Sequence, residues 1–347
     1  MADKSLRAER EEKILAFWKE NDIFNKSLEK ESPKGEFVFY DGPPFATGLP
    51  HYGHILPGTI KDVIPRYKTM QGYHVPRRWG WDCHGLPIEN LVEKELGLET
   101  KKDIEKFGIA EFNKRARENV LTFEKEWKEI IPRTGRWIDM DNAYKTMDSS
   151  YTESAWWAFK ELYDKNLVSQ GFKVMPYCPH CGTTLSNFEV NQGYKDITDI
   201  SVYAKFELVD EPGTHILAWT TTPWTLPGNV ALAVNADIEY VKVKVGEANI
   251  ILAKDRLSVL KDQPYEVVES FKGGELVGKK YKTLFDYYQQ EGQVYAAEFV
   301  SAEEGTGIVH IAPAFGEDDH NLSLKENLPL IQHVGTDGRF KPEVTDF

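Results

Sequence analysis

The sequence predicts a two-part α/β protein, a nucleotide-binding α/β unit followed by a β-rich domain. Three observations carry that prediction. A strand-like run, Glu36–Gly42, opens into a Gly/Pro-rich loop, a helix and a second strand-like piece, the pattern of nucleotide-binding α/β units. Helical periodicity dominates as far as about residue 166. From about residue 195, short β-branched and aromatic runs alternate with Gly, Pro, Asn and Asp, as a β-rich domain requires.

Taken in order, Leu6–Phe24 reads as an amphipathic helix with Ile14, Phe17, Trp18 and Phe24 on one side. EFVFYDG (Glu36–Gly42) has the pattern of a buried strand and runs into PPFATGLP. His51–Gln71 resumes helical character and stops at Gly72; YHVPRRWGWD is strand-like; Pro87–Leu96 is a helix with proline in its first turn. One long helix is expected over 110–131, where Phe112, Ala116, Val120, Phe123, Trp127 and Ile131 recur every three or four residues. Another, Ser149–Asn166, is expected to pack Trp156, Phe159 and Tyr163. DISVYAKFEL, THILAWTTT and EYVKVKV then begin the β-rich part, with the boundary drawn near 182–197.

Composition narrows the class. With 41% hydrophobic and 28% charged residues, disorder, collagen and coiled coil are excluded. The 347 residues exceed one compact core. No run of about 18 apolar residues is present, so no membrane span is expected. The charged N-terminal stretch has no apolar h-region, and three cysteines make no disulfide framework; a cytoplasmic location is expected. The net charge of −13 argues against indiscriminate nucleic-acid binding. It leaves room for a structured RNA partner, because much of the acid lies in residues 286–347 whereas 101–137 is net basic.

Three motifs carry chemistry. GPPFATGLPHYGH (Gly42–His54) places two histidines three residues apart at a helix N-terminus, where imidazoles and backbone N–H groups suit a phosphate. Gly53 would let a flat base or ribose approach the backbone. The alternative is a pair of capping histidines. YCPHCG (Tyr177–Gly182) is a CxxC in a Pro/Gly knuckle, half of a four-thiolate zinc site, with His180 poorly placed to join it. LAWTTTPWTLPGN (Leu217–Asn229) and GTGIVHIAPAFGEDD (Gly305–Asp319) read individually as strand and turn.

The first motif, with KDVIPRYKTMQGYHVPRRWGWDCHGLPIE (Lys61–Glu89), resembles the class I aminoacyl-tRNA synthetases, and the isoleucyl family in particular. The resemblance runs from about Glu11 to the last residue. It implies a Rossmann-like catalytic half (1–181, with the N-terminal helix and the zinc knuckle) and an inserted β-rich editing domain (182–347, incomplete). By the resemblance, His51 and His54 stabilise the adenylation transition state and Gly53 lies under the adenine of ATP, which binds with Mg2+. Asp82 anchors the α-ammonium of isoleucine, and Gly42 and Pro43 wall its side chain; read alone, Asp82 would be a helix N-cap.

The Thr and GTG motifs together resemble the isoleucyl editing pocket. That implies Asp319 on the ammonium of a misattached valine, Thr221 and Thr222 on the ester and its water, and His310 closing the side-chain pocket. Trp219 and Asn229 would shape it. Cys178 and Cys181 become zinc ligands by resemblance, and only half a site. No KxSK loop and no second CxxC occurs in the sequence. The reading is therefore an N-terminal piece of a monomeric synthetase for tRNA(Ile), not competent alone for aminoacylation; a freestanding editing deacylase or an inactive truncated product are the alternatives.

Overall fold

A computed structural model describes residues 5–261, 263–288 and 291–346 in two compact units, Met1–Gln170 and Gly171–Phe347. The first unit runs α1 (Leu6–Glu20), α2 (Ile23–Glu29), α3 (Tyr52–Met70), β1 (Arg78–Trp81), α4 (Leu86–Leu96), α5 (Lys101–Phe107), α6 (Ile109–Asn119), α7 (Glu124–Arg133), β2 (Asp139–Lys145) and α8 (Ser149–Asp164). Strands β1 and β2 are parallel, with Gly80 opposite Tyr144. The expected first strand is instead an extended segment pinned to the β1 region at its two ends. Phe37 N–H donates to the His74 carbonyl at 2.8 Å, and Asp82 N–H to the Pro44 carbonyl at 2.9 Å. Between these points Val38 and Tyr40 are exposed, so the buried-strand pattern misled.

The core of this unit gathers Trp79, Trp81 and Trp127 with Ala46, Ile88, Val92, Phe112 and Ile131. The three indoles meet at centroid distances of 5.4–5.9 Å; Trp81 meets both others edge-to-face, the geometry that ring quadrupoles favour, and Trp79 is tilted against Trp127. The single helix expected over 110–131 is two. Thr122 Oγ1 donates to the Asn119 carbonyl at 2.6 Å, closing a turn, and Phe123 N–H leaves the helical ladder for the Ala46 carbonyl at 3.0 Å. Apolar periodicity survives the break because both halves face one core. On α8, Trp156, Phe159 and Tyr163 are exposed rather than packed.

The second unit begins with the hairpin β3 (Tyr177–Cys178) and β4 (Thr183–Thr184), followed by α9 (Asn187–Asn191). It continues as β5 (Val202–Glu207), β6 (Thr214–Thr220), β7 (Ala231–Val234), β8 (Glu239–Val245), β9 (Ala248–Ala253), β10 (Glu266–Lys272), β11 (Lys280–Tyr281), β12 (Gly292–Ala296), β13 (Val309–Ile311) and α10 (Glu317–Glu326). Two sheets form, ordered β10-β8-β9-β6-β5 and β11-β12-β7-β13, and a bridge from Leu208 to Tyr281 links them. One core joins them, with Phe206, Ile216, Tyr240 and Ile251 from the first sheet and Leu232, Val234 and Val294 from the second. All four residues of β7 are buried, as an unbroken apolar run in a doubly covered strand should be. Among the described residues, no helix is long and apolar enough to cross a membrane.

Gly80 lies under the Tyr144 ring, and a Cβ there would sit 2.2–2.7 Å from ring atoms. Gly80→Ala is therefore expected to destabilise the first unit by about 1–3 kcal/mol in urea denaturation. An unchanged midpoint would mean the ring is not seated on β1.

Candidate functional site

The first site is built around the start of α3. His51 is its N-cap: Nδ1 accepts the Gly53 N–H at 3.0 Å, and His54 Nδ1 accepts the His51 N–H at 3.3 Å. This reciprocal box satisfies donors that a helix start leaves open. The rings lie 3.9 Å apart, and His54 meets Trp127 edge-on at 4.9 Å. Burial, and after it His51 and Lys61, push the His54 pKa down; it is thus neutral near pH 7, with its proton on Nε2 because Nδ1 accepts. A side chain at Gly53 would collide with the His51 ring at 2.8 Å.

Capping does not exhaust these histidines. Together with Gly42, Pro43, Gly53 and Trp127 they line a cavity of about 540 Å³. The loop that forms its wall is held from outside: Trp127 Nε1–H donates to the Gly48 carbonyl at 2.7 Å, while Ala46 and Pro44 accept from Phe123 and Asp82. Asp82 lies half-buried at the end of β1, outside the lining of this cavity. It is no helix cap, since α4 starts at Gly85 without a side-chain cap. Its carboxylate accepts the His84 N–H at 3.4 Å. Thr146, unmarked in the sequence, fixes that turn by accepting the Cys83 N–H at 2.8 Å and meeting His84 Nδ1 at 3.0 Å. Burial pushes the Cys83 thiol pKa up, as expected of an inert cysteine.

The second site gathers the Thr and GTG motifs. His310 is only 7% exposed and is satisfied on both nitrogens. Asn229 Nδ2–H donates to its Nδ1 at 3.2 Å, and its Nε2 lies 2.7 Å from Thr225 Oγ1, which donates to the Thr222 carbonyl at 2.8 Å. Tyr281 OH closes the chain on Asn229 Oδ1 at 2.7 Å. Burial, and then His333, lower the His310 pKa to about 4, so the ring is neutral with its proton on Nε2.

Thr221 and Thr222 are exposed in the turn that follows β6, where Thr222 N–H donates to Thr220 Oγ1 at 3.0 Å. Trp219 packs over Gly305, where a Cβ would lie 2.8 Å from its ring. Asp319, in the first turn of α10, accepts the Ala312 N–H at 2.8 Å. Burial raises its pKa to about 6. Trp224 meets Phe315 at 5.3 Å, which draws the threonine turn and the segment ahead of α10 together. Tyr281 and Thr225 were not foreseen; they lie 52 and 85 residues from their partners in this chain.

The CxxC forms a knuckle in which Cys181 N–H donates to Cys178 Sγ at 3.4 Å, as in thiolate metal sites. His180 Nδ1 stands 3.6 Å from Cys181 Sγ. Tetrahedral zinc needs four ligands, and among the described residues no group of three or more His, Cys, Asp or Glu side chains is placed to hold a metal ion. The residues present do not make a complete zinc site.

Comparison with known proteins gives the class. Residues 13–314 match the family described as tRNA synthetases class I (I, L, M and V), and the chain belongs to it. Among curated proteins, it is 51% identical to the cytoplasmic isoleucine–tRNA ligase of Mus musculus over 97% of this chain and 28% of that one. It is 45% identical to the isoleucine–tRNA ligase of Treponema denticola (98% and 34%) and 48% identical to the cytoplasmic one of Saccharomyces cerevisiae (97% and 33%). The chain spans about a third of the length of these relatives. Among solved structures, the editing domain of P. knowlesi cytosolic leucyl-tRNA synthetase overlaps 39% of this chain and 66% of that one, at 16% identity and a TM-score of 0.34.

Two expectations follow. A folded Asp319 carboxyl keeps its proton up to about pH 6, against 3.8 for the ordinary group; the cost to folding therefore grows as pH rises through that interval, reaching about 3 kcal/mol at neutral pH. His310 acts oppositely, taking up a proton only on unfolding between about pH 4 and 6.5, so its contribution falls as pH drops. Asp319→Asn should raise the neutral-pH stability of the second unit by about 2–3 kcal/mol and uncover the loss due to His310 below pH 6.5. Equal melting of both proteins at pH 7 would contradict a strained charge. For the knuckle, metal analysis of the purified chain should give clearly less than one zinc, and stoichiometric zinc would mean ligands were overlooked.

Proposed function

We propose that this chain is the nucleotide-binding and editing portion of an isoleucine–tRNA ligase. The observation that carries the reading is the pair of capped, stacked histidines at the N-terminus of α3, opening on a cavity walled by Gly42 and Pro43. ATP would sit with its adenine over Gly53 and its α-phosphate at His51 and His54. A neutral Nε2–H on His54 donates to the charge that builds on phosphate as the carboxylate attacks, at no reorganisation cost. Magnesium would accompany the triphosphate. Asp82 would hold the ammonium of isoleucine, a charge-assisted contact, and the partner would be tRNA(Ile), in the cytoplasm, with the protein monomeric.

A second activity is needed on physical grounds. One methylene is worth only about 1–3 kcal/mol in a hydrophobic pocket, and isoleucine against valine is the standard case of this limit. The second unit would supply a hydrolytic sieve for valine on the tRNA. Asp319, whose pKa burial raises to about 6, would be relieved of that strain by an incoming ammonium. Thr221 and Thr222 stand exposed, Thr222 tied to Thr220 Oγ1, and would meet the ester and a positioned water. His310, held within its buried network, would define the floor behind Thr222, with Trp219 and Asn229 supporting it. No thiol or Ser–His–Asp nucleophile is required. Cys178 and Cys181 would contribute to a zinc site only together with ligands from outside this chain.

Incubation with valyl-tRNA(Ile) tests the second unit directly: valine release is expected, and Asp319→Ala should slow it at least about a hundredfold. Release that Asp319→Ala leaves intact would overturn the site. In isoleucine-dependent ATP–pyrophosphate exchange by the whole ligase, His54→Ala should depress the rate while leaving deacylation unchanged. Equal loss of both would count against two separate sites.

A further inference from the structure

Two cations share one carboxylate at the wall of the α3 cavity. Asp41 Oδ1 meets Lys61 Nζ at 2.5 Å, and Asp41 Oδ2 pairs with the Arg136 guanidinium. The side chains are well shielded, Asp41 12%, Arg136 8% and Lys61 33% exposed. Arg136 lies over the Trp79 ring at 5.0 Å, which with the Asp41 pair positions its guanidinium. Asp41 is held from its backbone too, its carbonyl accepting from Tyr144 OH at 3.3 Å. All three residues line the cavity shared with His51 and His54.

The charges do not balance within the trio. A guanidinium offers five N–H donors and an ammonium three, while Asp41 takes one contact from each in the structure. The trio thus carries a net charge of about +1 at the wall of the cavity, with Arg136 shielded and the Lys61 ammonium partly open to it. An anion entering the cavity would offset it. The positive end of the α3 dipole opens on the same space, and burial with nearby charge keeps His54 neutral there, so the fixed cationic charge comes from Lys61 and Arg136.

We propose that Lys61 and Arg136 form an anion subsite for the phosphoryl groups of the nucleotide, with Asp41 as the positioning residue that aligns both cations and tempers their hold. The proposal rests on the nucleotide reading of the same cavity. It adds which side chains of this chain meet the polyphosphate and predicts opposite signs for neighbouring substitutions. Removing a cation weakens anion binding. Removing Asp41 leaves two cations to the anion and strengthens it.

The test is calorimetric titration of the 347-residue chain with inorganic pyrophosphate and, separately, with ATP. Lys61→Met and Arg136→Met should each weaken pyrophosphate about tenfold, Lys61→Arg should stay within about threefold, and Asp41→Asn should tighten it. If Asp41→Asn weakens binding along with the methionine variants, the trio is structural and the subsite is overturned. If ATP binds and no variant alters pyrophosphate affinity, the subsite is overturned while the nucleotide reading stands. If neither ATP nor pyrophosphate binds, both fall. Should a methionine variant fail to fold, the unmodified chain still decides the matter: pyrophosphate affinity unchanged between about 20 and 200 mM salt would contradict a site made of two cations.

Discussion

One buried chain of hydrogen bonds, from Tyr281 through Asn229 and His310 to Thr225 and the Thr222 carbonyl, sets the geometry on which the second unit depends. Its members come from β11, the turn before β7, β13 and the short helix after β6. Asn229 Nδ2 gives its second hydrogen to the Ala231 carbonyl at 2.9 Å, and the order of donation leaves a single arrangement of protons. In a low-dielectric interior such a network is strong when complete and expensive when broken. Burial drives the Tyr281 phenol far above its ordinary pKa and the His310 imidazole below its own, so no member ionises near neutrality. The exposed threonines therefore stand on a rigid, uncharged base.

The first unit solves a similar problem by other means. The loop ahead of α3 contains three prolines, Pro43, Pro44 and Pro50, which have no N–H to give to a ladder, and it runs as extended chain rather than strand. Carbonyls do the work. Pro44, Ala46 and Gly48 accept from Asp82, Phe123 and Trp127, which belong to the end of β1, to the break between α6 and α7, and to the core. The helix break is thus part of the site's construction: Phe123 is free to reach Ala46 because it has left the helical ladder. The histidines both cap α3 and face the cavity, so one set of hydrogen bonds starts the helix and orients the imidazoles.

How much of this was legible in the sequence depends on the range of the interaction. The HxGH segment declared a helix start because capping is local, and EYVKVKV declared a strand, β8, because its apolar and polar residues alternate. The α6–α7 break was hidden, since Phe112, Val120, Phe123 and Trp127 keep helical spacing across it. Val38 and Tyr40 on the first segment, and Trp156 on α8, have the composition of buried residues and stand exposed; composition states an ability to be covered, and the cover is a matter of tertiary structure. Thr146, Tyr281 and the Asp41–Lys61–Arg136 trio left no signal, because their partners are tens of residues away and their residue types are ordinary. For Asp82, removing the helix-cap alternative came from geometry alone, as α4 begins three residues later at a glycine with φ of 90°.

The protonation of His310 tests the buried chain most directly, because a single proton position fixes the direction of every bond in it. Nitrogen-15 spectra of histidine-labelled protein, followed from pH 5 to 8, report both the tautomer and any titration. The account predicts a neutral ring throughout, protonated on Nε2 and bare at Nδ1. A titration near 6.5, or a proton found on Nδ1, would mean that Asn229 does not donate to this ring and that the threonine turn is held in some other way.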